Sequence, residues 1–151
     1  MPARGAGYSS RSLVEKLGIK AGNRIALVAK PPRFNETLGP LPAGVRRVRA
    51  LRDSIDVIVF FARDAAGLSR RIASLKCVLA PDGMLWVCWR KKSSGIESAL
   101  DENAVRAVGL AAGLVDVKIC AVDANWAGLK FVYRLRDRPA ALTLRRARRT
   151  R

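Results

Sequence analysis

The segment Asp56–Ala62 constrains the fold of this chain more than any other. Its sequence, DVIVFFA, is apolar after the first residue and shows no alternation of apolar and polar positions. A strand with one solvated face alternates, whereas a strand covered on both faces does not. We therefore expect a sheet buried between two layers of helices, as in α/β proteins with parallel strands.

The flanking sequence supplies further elements of such a sheet. Strand-length apolar runs at residues 23–30, 45–48, 84–90, 115–122 and 129–135 predict five more strands. Apolar residues at helical spacing predict three helices, each after a residue that can cap a helix: Ser9 or Ser10, Asp64, and Asp101.

The remaining segments predict turns and loops. Residues 31–44 contain four prolines and two glycines, which bars regular structure for most of that stretch. Residues 81–83, Pro-Asp-Gly, predict a tight turn, and residues 91–95 a polar loop. Residues 123–128 predict the turn of a hairpin between the last two strands.

This alternation of strands and helices predicts an α/β fold. We expect one three-layer domain, Rossmann-like, with a mainly parallel sheet of about six strands closed by a C-terminal antiparallel hairpin. A chain of 151 residues suits one domain. We assign the domain to residues 9–137, between a flexible N-terminus at 1–8 and a basic tail, predicted to be disordered, at 138–151.

The chain is strongly basic. It has 29 Lys and Arg residues against 12 Asp and Glu residues, a net charge of +17. Seven arginines in residues 1–6 and 138–151 account for less than half of this excess. The domain itself should therefore attract phosphates, nucleic acid or acidic surfaces. The alternative is that the arginines reflect coding composition and carry no function.

The residue types present exclude several chemistries. The chain has no histidine, which excludes Ser-His-Asp and Cys-His catalysis and His-containing zinc sites. Cys77, Cys88 and Cys120 form no CxxC motif and indicate buried, reduced thiols in a cytoplasmic protein. We predict no catalytic residue, metal or cofactor. The sequence has no apolar run that could span a membrane and no secretory signal, and it leaves the oligomeric state open.

In open α/β sheets, ligands bind at the carboxyl ends of the parallel strands. We expect an anion-binding site there for a phosphate-containing small molecule, formed by cations, loop donors and a stacking ring: Lys91, Lys92, Lys130, Arg33, Arg63, Ser93, Gly95 and Trp126. The alternatives are a solvated loop at 91–95 and a tryptophan that only packs the hairpin turn. The Pro-rich loop at 31–44 is either a packed surface or a mobile cover.

The basic tail is a second candidate contact surface. Arg145, Arg146, Arg148 and Arg149 suit a sequence-independent, salt-sensitive contact with nucleic acid or an acidic protein. A solvated extension is the alternative.

Part of this order of elements resembles the class I methyltransferases. The strand at 56–62, the helix after it, and LAPDGMLWV at 79–87 resemble the second half of that fold, as does the terminal strand KFVYR at 130–134. The resemblance stops at the family's adenosylmethionine site. AKPPRF at 29–34 stands where the family has a Gly-rich loop, and the basic VRRVR at 45–49 stands where it has an acidic ribose-binding residue. The resemblance implies the fold without that cofactor.

A second resemblance covers residues 7–138. The segments at 7–28, 34–42, 79–95 and 113–134 resemble the bacterial family catalogued as domain of unknown function 3052. It implies a small α/β domain in the bacterial cytoplasm and no defined activity. From the sequence we favour a non-enzymatic binding or regulatory module for an anionic ligand. The alternatives are a diverged methyltransferase-like enzyme and a nucleic-acid-associated protein that acts through its basic surface and tail.

Overall fold

A computed structural model of the protein describes residues 11–52, 54–95 and 99–137. The strands are β1 (Arg24–Val28), β2 (Arg46–Arg47), β3 (Ile55–Phe61), β4 (Leu79–Arg90), β5 (Leu114–Ala121) and β6 (Trp126–Tyr133). The α-helices are α1 (Leu13–Leu17), α2 (Phe34–Leu38), α3 (Ala65–Val78) and α4 (Glu102–Ala111), with short 3₁₀ helices at Lys92–Ser94 and Leu135–Asp137.

The described strands form one mixed sheet in the order β2-β1-β3-β4-β6-β5. β1 pairs in parallel with β2 and β3, and β3 pairs in parallel with β4. β6 runs antiparallel to both β4 and β5. The predicted parallel sheet with a closing antiparallel hairpin is therefore confirmed.

Two apolar cores lie on opposite faces of the sheet. α3 and α4 cover one face, with Leu68 and Val105 among the buried residues, and α1 and α2 cover the other. Every residue of β3 is buried, as its unbroken apolar sequence predicted. Trp86 and Trp89 belong to opposite cores, and Trp86 Nε1 donates a hydrogen bond to the Leu17 carbonyl, which fixes α1 on the sheet.

The predicted caps of the two long helices are confirmed. The Asp64 carboxylate accepts a hydrogen bond from the Gly67 N–H, and that of Asp101 accepts one from the Ala104 N–H. The cap of α1 differs from the prediction of Ser9 or Ser10. Ser12 begins that helix, because it has Glu15 three residues later and the two form a reciprocal capping box.

The structure corrects the predicted loops. The Pro-rich segment contains α2, since its prolines flank residues 34–38 and leave Phe34 and Leu38 to pack on one face. β6 begins at Trp126, three residues earlier than predicted, because the Asp123 carboxylate accepts from the Asn125 and Trp126 N–H groups and closes a shorter turn. Residues 81–83 lie within β4, where the register with β3 slips.

The cysteines were predicted to be buried, and for Cys77 this is wrong. Cys77 is exposed on α3, Cys120 is half-buried, and Cys88 is fully buried at the centre of β4. All three are free thiols. Burial raises the pKa of Cys88 well above its ordinary value of 9.0. In the described ranges, no helix is both long enough and apolar enough to cross a membrane.

Candidate functional site

A cavity of about 690 Å³ lies at the carboxyl ends of β1 and β2. We call it the edge cleft. Its lining comes from β1 and the turn after it, α2, β2 and the segment after it, and α3: Ala26, Leu27, Val28, Ala29, Lys30, Asn35, Arg47, Val48, Arg49, Leu51 and Arg71. This is the end of the sheet at which α/β topology places a ligand.

The backbone bends sharply where β1 enters the cleft. Ala29, directly after β1, has a φ of 57°, and Arg33, at the start of α2, has a φ of 67°. Left-handed backbone costs a residue with a Cβ about 1–2 kcal/mol. Non-glycine residues held in this region cluster at functional sites, where the surrounding structure maintains the strain. This turn, with Val28 at the end of β1, contributes Ala29 and Lys30 to the lining of the cleft.

The cleft is cationic. Lys30, Arg47, Arg49 and Arg71 line it, and Asn35 is the uncharged polar side chain among the lining residues. The Arg71 guanidinium also lies 5.6 Å from the centre of the Phe60 ring. Across the described ranges, no ion pair joins any of these four cations to a carboxylate. As far as the described residues go, the cleft therefore offers a ligand positive charge that no ion pair neutralises.

The predicted anion site is only partly assembled. Arg33, Arg63 and the segment 91–95 (with Lys91, Lys92, Ser93 and Gly95) follow β1, β3 and β4, so they lie at the predicted edge of the sheet. None of them lines the edge cleft. The Gly95 N–H donates to the Lys92 carbonyl at 3.3 Å, within the 3₁₀ turn of Lys92–Ser94. The Gly95 N–H, one of the two predicted loop donors, is therefore already engaged within its own turn.

Trp126 lies at the predicted edge but is buried, and Lys130 lies away from that edge. Trp126 is only 3% exposed, and its ring packs edge-on against Phe61 at 5.0 Å, with the Arg90 guanidinium 4.8 Å from its centre. It is a core residue, as the packing alternative held, and not an open stacking platform. Lys130 lies mid-strand, opposite Trp86, four residues from the carboxyl edge. Burial lowers its pKa, and Lys118 adds to that effect.

Arg145, Arg146, Arg148 and Arg149, the predicted tail contacts, lie outside the described residues. Within the described ranges, no group of three or more His, Cys, Asp or Glu side chains is placed to hold a metal ion.

Sequence reasoning missed Arg71 and the joint role of Arg47 and Arg49. The basic run at 45–49 is a visible signal of cationic side chains near the end of β2, although in the sequence it argues only against an adenosylmethionine site. Arg71 gives no such signal, because it stands among the other polar residues of α3 and only the packing of that helix brings it to the cleft.

A second cavity, also of about 690 Å³, lies between α3 and α4. We call it the helix groove. Its lining is mostly apolar or small: Ser69, Ile72, Ala73, Lys76, Cys77, Ala107, Val108, Ala111, Ala112 and Tyr133.

Comparison with known proteins was made on sequence and on structure. No family model matches the sequence, and no curated protein matches it. The structure is similar to a SAM-dependent methyltransferase from Aquifex aeolicus, at a TM-score of 0.58 and 15% identity over 79% of this chain and 86% of that one. The chain has a methyltransferase-like fold.

Two further solved structures agree. A TehB-like SAM-dependent methyltransferase from Corynebacterium glutamicum matches at a TM-score of 0.51 and 13% identity, over 81% of this chain and 85% of that one. Magnesium protoporphyrin IX methyltransferase from Synechocystis, solved with bound SAM, matches at a TM-score of 0.56 and 11% identity, over 81% of this chain and 74% of that one. The expected methyltransferase-like fold is thereby confirmed.

These neighbours correct the predicted function. The sequence favoured a non-enzymatic binding or regulatory module for an anionic, phosphate-containing ligand, and that prediction is wrong. The structural neighbours of the chain include several SAM-dependent methyltransferases, and this shared fold agrees better with the alternative of a diverged methyltransferase-like protein.

Proposed function

We propose that this chain is a diverged methyltransferase-like enzyme of the bacterial cytoplasm, related to the domain of unknown function 3052 family, and that the edge cleft is its ligand site. One observation carries the proposal. The cavity opens at the carboxyl ends of β1 and β2, where an α/β sheet of this topology places its ligand, and the fold is shared with SAM-dependent methyltransferases.

Adenosylmethionine is the cofactor that this fold implies, and the cleft suits it only in part. The volume of about 690 Å³ falls within the usual range for small-molecule sites. Lys30 and the arginines could donate to the carboxylate of such a ligand, and Asn35 could donate to or accept from a hydroxyl group. The charge, however, is of the wrong sign for a sulfonium.

Adenosylmethionine carries one net positive charge, and four cations line the cleft. None of the described lining residues is a carboxylate that could balance the sulfonium. The cleft residues by themselves therefore do not fit adenosylmethionine. Adenosylhomocysteine has the same frame with a neutral sulfur and meets no such repulsion.

Calorimetric titration of the full chain with both compounds tests the proposal. We expect adenosylhomocysteine to bind more tightly than adenosylmethionine. Added salt should narrow the gap, because salt screens the repulsion between the cleft cations and the sulfonium. Binding of neither compound at any salt concentration would overturn the proposal.

A matched pair of variants locates the binding. Asn35 lines the cleft from α2, and Thr37 is exposed on the same helix but does not line it. Asn35→Trp should fill the cleft and abolish binding, whereas Thr37→Trp should leave the affinity unchanged. Adenosylhomocysteine binding that survives Asn35→Trp would place the ligand outside the edge cleft.

A further inference from the structure

A basic side chain follows each of the four parallel strands at the carboxyl edge of the sheet. In the spatial order of the strands, these are Arg49 after β2, Lys30 after β1, Arg63 after β3, and the pair Lys91 and Lys92 after β4. The cations therefore form a row across the sheet, and the edge cleft occupies one end of it. We call this row the basic edge.

The dimensions of the basic edge match a polyanion. Neighbouring strands lie about 4.8 Å apart, so the three intervals from β2 to β4 span about 14 Å. Successive phosphates on one strand of a duplex advance about 3.4 Å along its axis, so this span corresponds to about four nucleotide steps. A small anion would occupy only part of the row.

The charge of the basic edge is available to a partner. Arg49, Lys30, Arg63 and Lys92 are exposed, and in the described ranges none of them forms an ion pair with a carboxylate. Acidic side chains also lie at this edge: Glu36 on α2, Asp64 at the start of α3, Asp101 and Glu102 at the start of α4, and Asp123. Asp64, Asp101 and Asp123 accept hydrogen bonds from backbone N–H groups of their own turns, and Glu102 pairs with Arg106. Arg33 before α2 and Arg90 at the end of β4 add two cations, so among the described residues cations outnumber acids at this edge and the potential along the row is positive.

The aromatic residues at this edge decide what kind of nucleic acid fits. Phe34 is 1% exposed and Trp126 is 3% exposed, so neither ring is open for a base to stack on. Proteins that hold single strands combine a basic groove with exposed aromatic rings. A basic surface whose rings are buried suits the phosphate backbone of a duplex, which needs no contact with the bases.

We infer that the basic edge binds the phosphate backbone of a nucleic-acid duplex. Binding of the duplex is independent of the proposed function. The further step that the duplex is the substrate rests on the proposed function, because the edge cleft opens onto the same row. The contact is sequence-independent and weakens steeply as salt rises.

Fluorescence anisotropy of the full chain with a labelled random-sequence duplex tests the inference. Arg63→Gln with Lys92→Gln removes two charges from the basic edge without touching a residue of the edge cleft. Lys20→Gln with Arg136→Gln removes two charges at the opposite edge, before β1 and after β6. All four side chains are exposed, so both double variants should fold, and melting curves check this.

We expect the basic-edge variant to lose about tenfold in affinity, and its plot of log K against log salt to become shallower by about two. The opposite-edge control should stay within about twofold of the unaltered chain. Equal losses in the two variants, or no loss in either, would overturn the inference.

Three further readouts separate the alternatives. Tighter binding of a single strand than of the duplex would overturn the assignment to a duplex. Poly-glutamate should displace the labelled duplex less effectively than unlabelled duplex does. Equal displacement would show recognition of charge alone, as for an acidic protein, and would also overturn the assignment to a duplex. Adenosylhomocysteine binding should be kept in the basic-edge variant, so failure of the cleft proposal and failure of this inference give different results.

Discussion

The edge cleft and the helix groove have the same volume, about 690 Å³, but four cations line the edge cleft and one lines the helix groove. Lysine and arginine side chains line the edge cleft, at the end of the sheet where strand topology places ligands. The helix groove is lined mostly by alanine and aliphatic side chains between two helices. Volume alone cannot rank the two cavities, whereas topology and charge favour the edge cleft.

The polar groups of the two cavities also differ in whether they are already engaged. In the helix groove, the Lys76 ammonium donates to the Ala112 carbonyl at 2.8 Å, and the Tyr133 hydroxyl donates to the Lys76 carbonyl at 2.5 Å. These groups hold the helices and β6 together. In the described ranges, no side-chain hydrogen bond or ion pair joins the cations of the edge cleft to a protein acceptor, so a ligand can engage them.

The largest predicted effect lies on the groove side, where α4 meets the sheet. A Cβ added at Gly109 would lie 2.0 Å from a ring carbon of Phe131 in the core. Gly109→Ala should therefore cost about 3 kcal/mol of unfolding free energy, at the upper end for overpacking. Urea denaturation measures this.

Gly67→Ala is the matched control for Gly109→Ala, because Gly67 is also helical and its added Cβ would lie 3.0 Å from the Asp64 carboxylate, an exposed group that can shift. We expect a change within about 1 kcal/mol there. Equal losses of unfolding free energy in the two variants would show that the close packing of Gly109 against Phe131 does not limit the residue at position 109.

The next effect concerns the edge cleft and the basic edge together. Duplex phosphates on the basic edge should offset the cleft cations, so saturating duplex should raise adenosylmethionine affinity about tenfold. Adenosylhomocysteine carries no net charge, and its affinity should change much less. Calorimetry with and without duplex measures both. Equal gains for the two compounds would mean that the duplex acts through something other than charge.

A smaller predicted effect concerns how stability changes with pH, and it compares the Cys88 thiol at the centre of the sheet with the Cys77 thiol in the helix groove. Burial raises the pKa of Cys88, so above pH 9.0 the folded state holds a proton that the unfolded state releases, and stability falls as pH rises. Melting temperatures between pH 9.0 and 10.5 should fall less steeply for Cys88→Ala than for the unaltered chain. Cys77→Ala removes the exposed groove thiol, whose charge contributes to the raised pKa of Tyr133, and should change the slope less than Cys88→Ala does.

Other groups modify the same slope. The pKa values of Cys120 and Tyr133 are also raised by burial and act in the same direction as that of Cys88. The lowered pKa of Lys130 acts in the opposite direction, since the unfolded state then binds the extra proton and stability rises toward pH 10.5. An unchanged slope in Cys88→Ala would mean that Cys88 is not the main source of the alkaline loss.

The smallest effect tests the strained turn of the edge cleft. Ala29 has a φ of 57°, and Ala29→Gly should relieve the strain of this conformation, a gain of about 1 kcal/mol in unfolding free energy. The greater conformational freedom of glycine in the unfolded chain largely offsets that gain. We expect a change between zero and a small gain in unfolding free energy. Ala26→Gly in the buried part of β1 should lose about 1 kcal/mol. A clear loss of unfolding free energy in Ala29→Gly would contradict the claim that the backbone at Ala29 is strained.

The sequence predicted the parts of the fold that depend on local patterns. β3, α3 and α4 follow from unbroken apolar sequence, helical spacing and aspartate caps, all of which are short-range signals. It failed at α2, where the proline content of the loop obscured a five-residue helix held by the burial of Phe34 and Leu38.

The site was harder to predict because it depends on packing between distant elements. Trp126 was placed at an open rim because the start of β6 was placed three residues too late. The edge cleft combines residues near positions 30, 48 and 71, and only the strand order and the position of α3 bring them together. Strand topology alone led the sequence analysis to the carboxyl edge of the sheet, and the structure shows a cavity at that edge.

The most direct test of the edge cleft is to map adenosylhomocysteine onto the full chain by amide chemical shifts. The account predicts that the largest perturbations fall at residues 26–30 and 47–51, which line the edge cleft. Perturbations centred instead on residues 72–77 and 107–112, which line the helix groove, would contradict it.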